Sequence, residues 1–284
     1  MKLLDRLGQL IPSRLKRKRA PRVAVIRLYG TIAPGRRGLR GGGDINMAGL
    51  EPVLEAAFSV GGLSAVALAI NCPGGSPAQS SLIAGRIREL AAEHEVPVLA
   101  FCEDVAASGG YWLAAAADEI FVDPASLVGS IGVVSGGFGF SRALEKLGIE
   151  RRLYTRGERK AILDPFRPEK PEDVAELDRM MAALHTLFID HVKARRVGRI
   201  DAEDQKLFSG AVWVGQEAVT LGLADGIGEM RSVLRQRFGK KVKLREVTRP
   251  RSLFSRLGLS AGAALAEGIV DAAERKAVWA RFGL

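Results

Sequence analysis

The run Ser64-Ala-Val-Ala-Leu-Ala-Ile-Asn71, the turn Cys72-Pro-Gly-Gly-Ser76, the segment Ala78-Gln-Ser-Ser-Leu-Ile-Ala-Gly-Arg-Ile-Arg-Glu-Leu-Ala-Ala-Glu-His94 and the run Val96-Pro-Val-Leu-Ala-Phe-Cys-Glu103 decide the fold. The first and last are short and almost continuously apolar, the pattern of strands buried on both faces. The segment between them is an amphipathic helix. A strand, a helix and a second strand at this spacing form the crossover unit of a parallel sheet.

Working outward, Val23 to Tyr29 reads as a strand and Leu50 to Val60 as a helix. Gly35 to Gly43 holds five glycines and three arginines and reads as a mobile loop. No Gly-Lys-Ser/Thr follows it, so it is not a P-loop. Beyond Glu103 come a small-residue helix from Gly109 to Ala117, a strand from Glu119 to Val122, a turn at Asp123-Pro124 and a glycine-rich stretch from Gly129 to Gly139. A long helix spans Glu172 to Arg196, with Leu177, Met181, Leu184, Leu187, Phe188 and Val192 on one face. Trp213 to Leu223 reads as a turn and a short helix, and Gly226 to Phe238 as another helix. The whole is an α/β fold with a largely parallel sheet, whose ligands collect at the carboxyl ends of the strands. Residues 22–240 are assigned to this domain, 1–21 to a basic N-terminal segment and 241–284 to a helical extension without a chemical motif.

The chain has 284 residues and a formal charge of +10. Residues 1–40 hold 12 Lys/Arg and one acid, Asp5, so the body is nearly neutral and the basic character is local. That distribution argues against nucleic acid as a partner. Leu3, Leu4, Leu7, Leu10 and Ile11 form an apolar face beside the cluster Arg14 to Arg19, the pattern of a helix lying on an anionic membrane surface. A docking helix or a basic tail are the alternatives. The leucines precede the basic cluster, the reverse of a signal peptide, and no apolar run reaches the ~18 to 20 residues of a membrane span. The expected location is the cytoplasm, peripheral on the inner face of the cell membrane. Cys72 and Cys102 then read as reduced thiols.

Ser108, in Asp104-Val-Ala-Ala-Ser108-Gly-Gly110, stands at a strand-to-helix junction among small neighbours. Free helix N–H groups behind it could stabilise an oxyanion, although a helix N-cap accounts for a serine there equally well. The nucleophile elbow Gly-x-Ser-x-Gly is not matched, because its first position is Ala106. Gly74-Gly75 would bring a second N–H to the same pocket, or form only a tight turn. His94, His185 and His191 lie on helices and read as surface or helix-face residues, which leaves lysine as the base. Lys160 follows an expected strand and is flanked by Ala161, Ile162 and Leu163, a setting that could bury its amine. A solvated surface lysine is the alternative.

In combination, Val23-Ala-Val-Ile-Arg-Leu-Tyr-Gly-Thr-Ile32, Asn71-Cys-Pro-Gly-Gly-Ser76, Ala107-Ser-Gly-Gly-Tyr111, Ala116-Ala-Asp-Glu-Ile120, Gly129-Ser-Ile-Gly-Val133 and Gly157-Glu-Arg-Lys160 resemble the signal peptide peptidase A family of serine-lysine peptidases, with its short SohB-like members. The likeness runs from about Arg22 to Val233. It implies a ClpP/crotonase-like superhelix of β-β-α units, with no cofactor and no metal. It implies Ser108 as nucleophile, Lys160, 52 residues on, as general base, and Ser130 as the hydroxyl that orients the lysine. The backbone of Gly75 and Gly109 would form the oxyanion hole. Ser76, Pro77, Ile131, Gly132 and Val133 would bind the peptide as an added strand. The family architecture also implies a homo-oligomeric ring whose sites are shared between protomers. Cys72 departs from the serine expected before Pro-Gly-Gly, and the family's N-terminal membrane span is missing. The expected function is hydrolysis of peptides, such as remnant signal peptides or membrane-derived fragments, through an acyl-enzyme. The alternatives are a crotonase-type acyl-CoA enzyme, for which the pocket loops lack a glutamate pair, and a non-catalytic assembly protein at the membrane surface.

Overall fold

A computed structural model describes residues 20–34, 44–157, 159–248 and 279–283. The glycine-arginine loop, the basic N-terminal helix and nearly all of the tail beyond Ser252 lie outside the described residues.

The chain alternates strand and helix: β1 (Arg22–Tyr29), α1 (Met47–Phe58), β2 (Leu63–Cys72), α2 (Pro77–Glu93), β3 (Val98–Ala107), α3 (Gly109–Ala115), β4 (Glu119–Val122) and β5 (Leu127–Gly129). Then follow α4 (Ser141–Lys146), α5 (Pro171–Arg195), β6 (Val212–Val214), α6 (Gly215–Thr220), β7 (Gly226–Ile227), α7 (Met230–Phe238) and β8 (Lys243–Glu246). Local chemistry sets several of these starts. Asn46 Oδ1 accepts the Gly49 N–H at 2.9 Å, which begins α1 three residues before the apolar pattern suggests. Pro77 at the first position of α2 follows Ser76, whose hydroxyl caps Gln79 N.

The sheet runs β6-β5-β3-β2-β1-β8, with β4 on β3 and β7 on β4. All pairs are parallel except β5 with β6. Strand β3 changes partner along its length. Leu99 to Cys102 pair with Glu119 to Val122 of β4, whereas Val105 to Ala107 pair with Leu127 to Gly129 of β5. The register against β2 slips at the same place, since Ile70 faces Cys102 but Cys72 faces Ala106. The Ser126 hydroxyl bridges the Cys102 and Glu103 carbonyls at this fork, at 3.1 and 2.5 Å. The sheet therefore forks at β3, with β5 and β6 on one branch and β4 and β7 on the other. This is the mixed α/β arrangement of the ClpP/crotonase-like fold.

One face of β1 to β3 packs Ile26, Leu68 and Ala100 under Leu54, Ile83, Ile87, Phe188 and Val192 of the helices. The other packs Val25, Ala67 and Phe101 under Leu234 of α7. Arg196, only 1% exposed, donates to the Gly222 carbonyl at 2.9 Å and to Asp225 at 2.8 Å, fixing the end of α5 to the β7 side.

Three expectations change. Val212–Val214 is a strand, because its backbone pairs with Leu127 to Gly129 at an edge the sequence pattern does not reveal. Gly226–Ile227 extends the sheet on β4, and its helix begins only at Met230. Lys243–Glu246 pairs with β1, so the domain boundary drawn at 240 falls inside the sheet.

Candidate active site

β3 runs directly into α3, and Ser108 is the single residue between them. Turning the chain in one residue forces Ser108 to φ 52° and ψ −122°, a conformation that costs a non-glycine residue of order 1–3 kcal/mol. Its side chain makes no capping hydrogen bond to α3, so the N-cap reading does not hold. Its N–H donates to the Gly129 carbonyl at 2.8 Å, which anchors the turn to β5. The hydroxyl-bearing residue, half-buried, lines an open cleft with Gly75, Pro77, Gly109, Gly132 and Val133.

The backbones of Gly75 and Gly109 approach each other there. Ile32 N donates to the Gly74 carbonyl and Ser76 N to the Ile32 carbonyl, each at 2.8 Å. A parallel bridge of this kind turns the N–H of the intervening Gly75 to the opposite side. A side chain on Gly75 would place Cβ 1.9 Å from the Ile32 carbonyl oxygen, and φ is +142°, so the position requires glycine. Gly109 is the first residue of α3, and its N–H has no intrahelical acceptor. A Cβ on Gly109 would lie 3.4 Å from Gly75 N and 2.5 Å from Ser80 Oγ, which measures how closely the two glycines approach. At the far end of α3, Arg195 donates to the Ala115 and Ala117 carbonyls and Arg88 to Ala116. Cations at the C-terminus and free N–H groups at the N-terminus both favour negative charge beside Ser108.

Ser130 follows β5 as Ser108 follows β3, and Ala107 pairs with Gly129, so the two serines leave adjacent strands in register. Ser130 also has φ +52°. Its N–H donates to the Ala211 carbonyl at 2.7 Å. Ile131 is fully buried, and Ser76 faces α2 as its cap.

Lys160 stands apart. It lies in an exposed turn, no strand precedes it, and it does not line the cleft of its own chain. Asp173 on α5 accepts the Leu163 N–H at 3.3 Å, Glu176 pairs with Arg159 at 3.3 Å, and Asp164 accepts the Phe166 N–H at 3.0 Å. The expectation that its apolar neighbours would bury the amine within one chain is not met. The surrounding segment leaves Val134, Phe138, Leu147, Ile149 and Tyr154 exposed.

Trp112, Leu184 and Phe188 complete the cleft and were not singled out as site residues from the sequence. The apolar face of α5 was the available signal, but it did not distinguish core from cleft. The Trp112 ring stacks on Phe188 at 4.7 Å and on His191 at 5.2 Å. His191 donates from Nε2 to the Trp112 carbonyl at 3.0 Å, and burial pushes its pKa down to about 4. His185 donates from Nε2 to the Ile131 carbonyl at 3.1 Å. None of the three histidines lines the cleft. Burial pushes the Cys72 and Cys102 thiols up to about 12, so neither is a thiolate nucleophile. A larger hollow beside Trp213, lined by Gln216, Glu217, Thr220 and Leu221, holds no strained nucleophile and no convergent N–H pair.

The model of peptidase family S49 matches residues 91–245, which include Ser108, Ser130 and Lys160. The chain belongs to peptidase family S49. Its S49 relatives include the chloroplastic serine protease SPPA of Arabidopsis thaliana, 33% identical over 80% of this chain and 35% of that protein. A protein of Brucella abortus named Na(+)/H(+) antiporter NhaA is 47% identical over 98% of this chain but only 39% of its own length. The chain thus spans less than half of these relatives. The antiporter name describes that longer protein; no helix among the described residues here is long and apolar enough to cross a membrane. Among solved structures, a membrane-bound stomatin-specific protease in complex with a substrate peptide aligns over 84% of this chain and 96% of its own, at TM-score 0.50 and 12% identity. That likeness is one of fold. Family membership supports a serine peptidase.

Proposed function

We propose that the chain is a serine peptidase working through a Ser108–Lys160 dyad, with the lysine supplied by a neighbouring copy. The observation that carries the reading is the strained, uncapped Ser108 beside the convergent N–H groups of Gly75 and Gly109. The Lys160 amine takes the Ser108 Oγ proton as Oγ attacks the peptide carbonyl carbon. The carbonyl oxygen becomes an oxyanion between the two N–H groups. Lys160 then returns the proton to the leaving amine as the C–N bond breaks, leaving an acyl-serine. Water, deprotonated by the same amine, releases the second product and restores Oγ–H. Ser130 orients the amine. The peptide lies as an added strand between Gly75 to Pro77 and Ile131 to Val133, and the apolar walls favour small or aliphatic side chains at the cut.

The exposed turn of Lys160 and the exposed apolar residues around it support a site shared between protomers. Among the described residues no Asp or Glu lines the cleft, which counts against a carboxylate-driven acyl-CoA reaction. The basic segment before residue 21 is assigned to an anionic membrane surface, with peripheral attachment on the cytoplasmic side. The decisive experiment mixes Ser108→Ala with Lys160→Ala protomers after dissociation and reassembly. Each is inactive alone, and the mixture regains peptide hydrolysis where an intact serine meets an intact lysine. A mixture that demonstrably exchanges subunits and stays inactive refutes the shared site.

A further inference from the structure

The segment after Ser130 forms one wall of the cleft but has little ladder to hold it. Its last sheet bond is Ser130 N to the Ala211 carbonyl, and no regular strand or helix follows until α4. Gly132 and Val133, which line the cleft, lie beyond that bond. α5 also lines the cleft, through Leu184 and Phe188. Between these two residues in sequence is His185, whose Nε2 lies 3.1 Å from the Ile131 carbonyl oxygen. A carbonyl only accepts, so Nε2 carries the hydrogen and His185 is the donor. This bond ties the segment directly to α5, one residue from Ser130 and one from Gly132.

We propose that His185 is a positioning residue for peptide binding: its hydrogen bond to Ile131 anchors the Ser130 to Val133 segment on α5 and so holds in place the backbone beside which an extended peptide lies. The inference rests on the proposed seating of the peptide along that segment. It concerns binding rather than bond cleavage, because His185 touches neither Ser108 nor the cleft lumen. Loss of the bond leaves the segment held by the buried Ile131 side chain, the Ser130 N–H bond to Ala211 and the packing of Gly132 against Gly210. Losing one hydrogen bond at the upper end of its ordinary net strength lets the segment leave its binding-competent arrangement and corresponds to at most about a tenfold change in affinity.

The test measures binding of a fluorescein-labelled octapeptide, with alanine and leucine flanking its central bond, by fluorescence anisotropy. The Ser108→Ala protein serves as background, so cleavage plays no part. Adding His185→Phe is expected to raise Kd about tenfold. Adding His185→Gln, whose amide N–H can reach the same carbonyl, is expected to stay within about threefold. An unchanged Kd in the phenylalanine variant overturns the inference, as does equal weakening by Phe and Gln, which would mark a packing role. A Ser108→Ala protein that binds no peptide overturns the seating itself, and the role of His185 with it. Wild-type protein that binds but never cleaves sinks the peptidase reading alone.

Discussion

His191 offers the most direct thermodynamic check on how the cleft is held together. Its imidazole lies between α5 and Trp112, stacked at 5.2 Å and donating to the Trp112 carbonyl. Burial is the largest cause of its depressed pKa, the Arg195 charge adds to it, and the hydrogen bond offsets only part, leaving a value of about 4. In the unfolded chain the same ring titrates near 6.5. Between those values the unfolded chain takes up a proton that the folded chain refuses, so stability is full above pH 6.5 and is lost as pH falls toward 4. At pH 5 the loss from this group alone is about 2 kcal/mol, which lowers Tm by about 4 to 8 °C in a domain of this size. Urea denaturation at pH 7.5 and pH 5 measures it, with His191→Phe as comparator. The phenylalanine protein sacrifices the bond to Trp112, about 1 kcal/mol at both pH values, but should lack the pH-dependent part. Its loss between the two pH values should therefore be about 2 kcal/mol smaller than in the wild type. Equal losses in the two proteins would refute the argument that His191 is held neutral against Trp112.

The remaining predictions concern the reaction. Gly75→Ala drives Cβ into the Ile32 carbonyl and displaces one oxyanion donor, so kcat for peptide hydrolysis should fall by about 10²- to 10³-fold; a fall below tenfold would exclude Gly75 from the oxyanion hole. Lys160→Arg should be nearly as inactive as Lys160→Ala, because a guanidinium stays protonated; retention of more than about a tenth of the activity would remove Lys160 as the base. Ser108→Gly should be more stable than Ser108→Ala by about 1 kcal/mol in chemical denaturation, since only glycine adopts φ 52° and ψ −122° without strain. Equal stability would mean that the turn relaxes when the hydroxyl is removed.

The sheet was legible because parallel strands buried on both faces read as unbroken apolar runs. Ser64 to Asn71 and Val96 to Glu103 map onto β2 and β3 with shifts of one to four residues. The longest shift has a physical cause. β3 continues to Ala107 by changing partner from β4 to β5, and Glu103-Asp104 at the fork are polar enough to look like the end of a strand. The short edges β6, β7 and β8 were hidden for another reason: three-, two- and four-residue strands gain their pairing from neighbours distant in sequence and carry no period of their own. At the site, Ser108, Gly75 and Gly109 were singled out by the resemblance, because a helix N-cap or a tight turn also accounts for small residues at a strand end. The place of Lys160 could not be read, since exposure depends on what covers a surface. Trp112, Leu184, His185 and Phe188 were ambiguous because one helical face serves both core and cleft.

The two strained serines show how the fold divides labour between rigid and mobile parts. Each leaves a fully paired strand at a positive φ, and each is pinned through its N–H, to Gly129 and to Ala211. Such a conformation persists only where surrounding packing over-determines it, and here Val105 to Ala107 of β3 and all of α3 are buried around Ser108. The proposed nucleophile and oxyanion donors are therefore set by the core. Lys160 is set by the surface, through Asp173, Glu176 and Asp164 on exposed or half-exposed elements. A single chain thus holds the proposed oxyanion pocket, while Lys160 is exposed and lies outside the cleft. On the proposed mechanism, in which the base arrives from a neighbour, hydrolysis is confined to assembled protein, and an isolated chain carries a serine hydroxyl with no base to activate it.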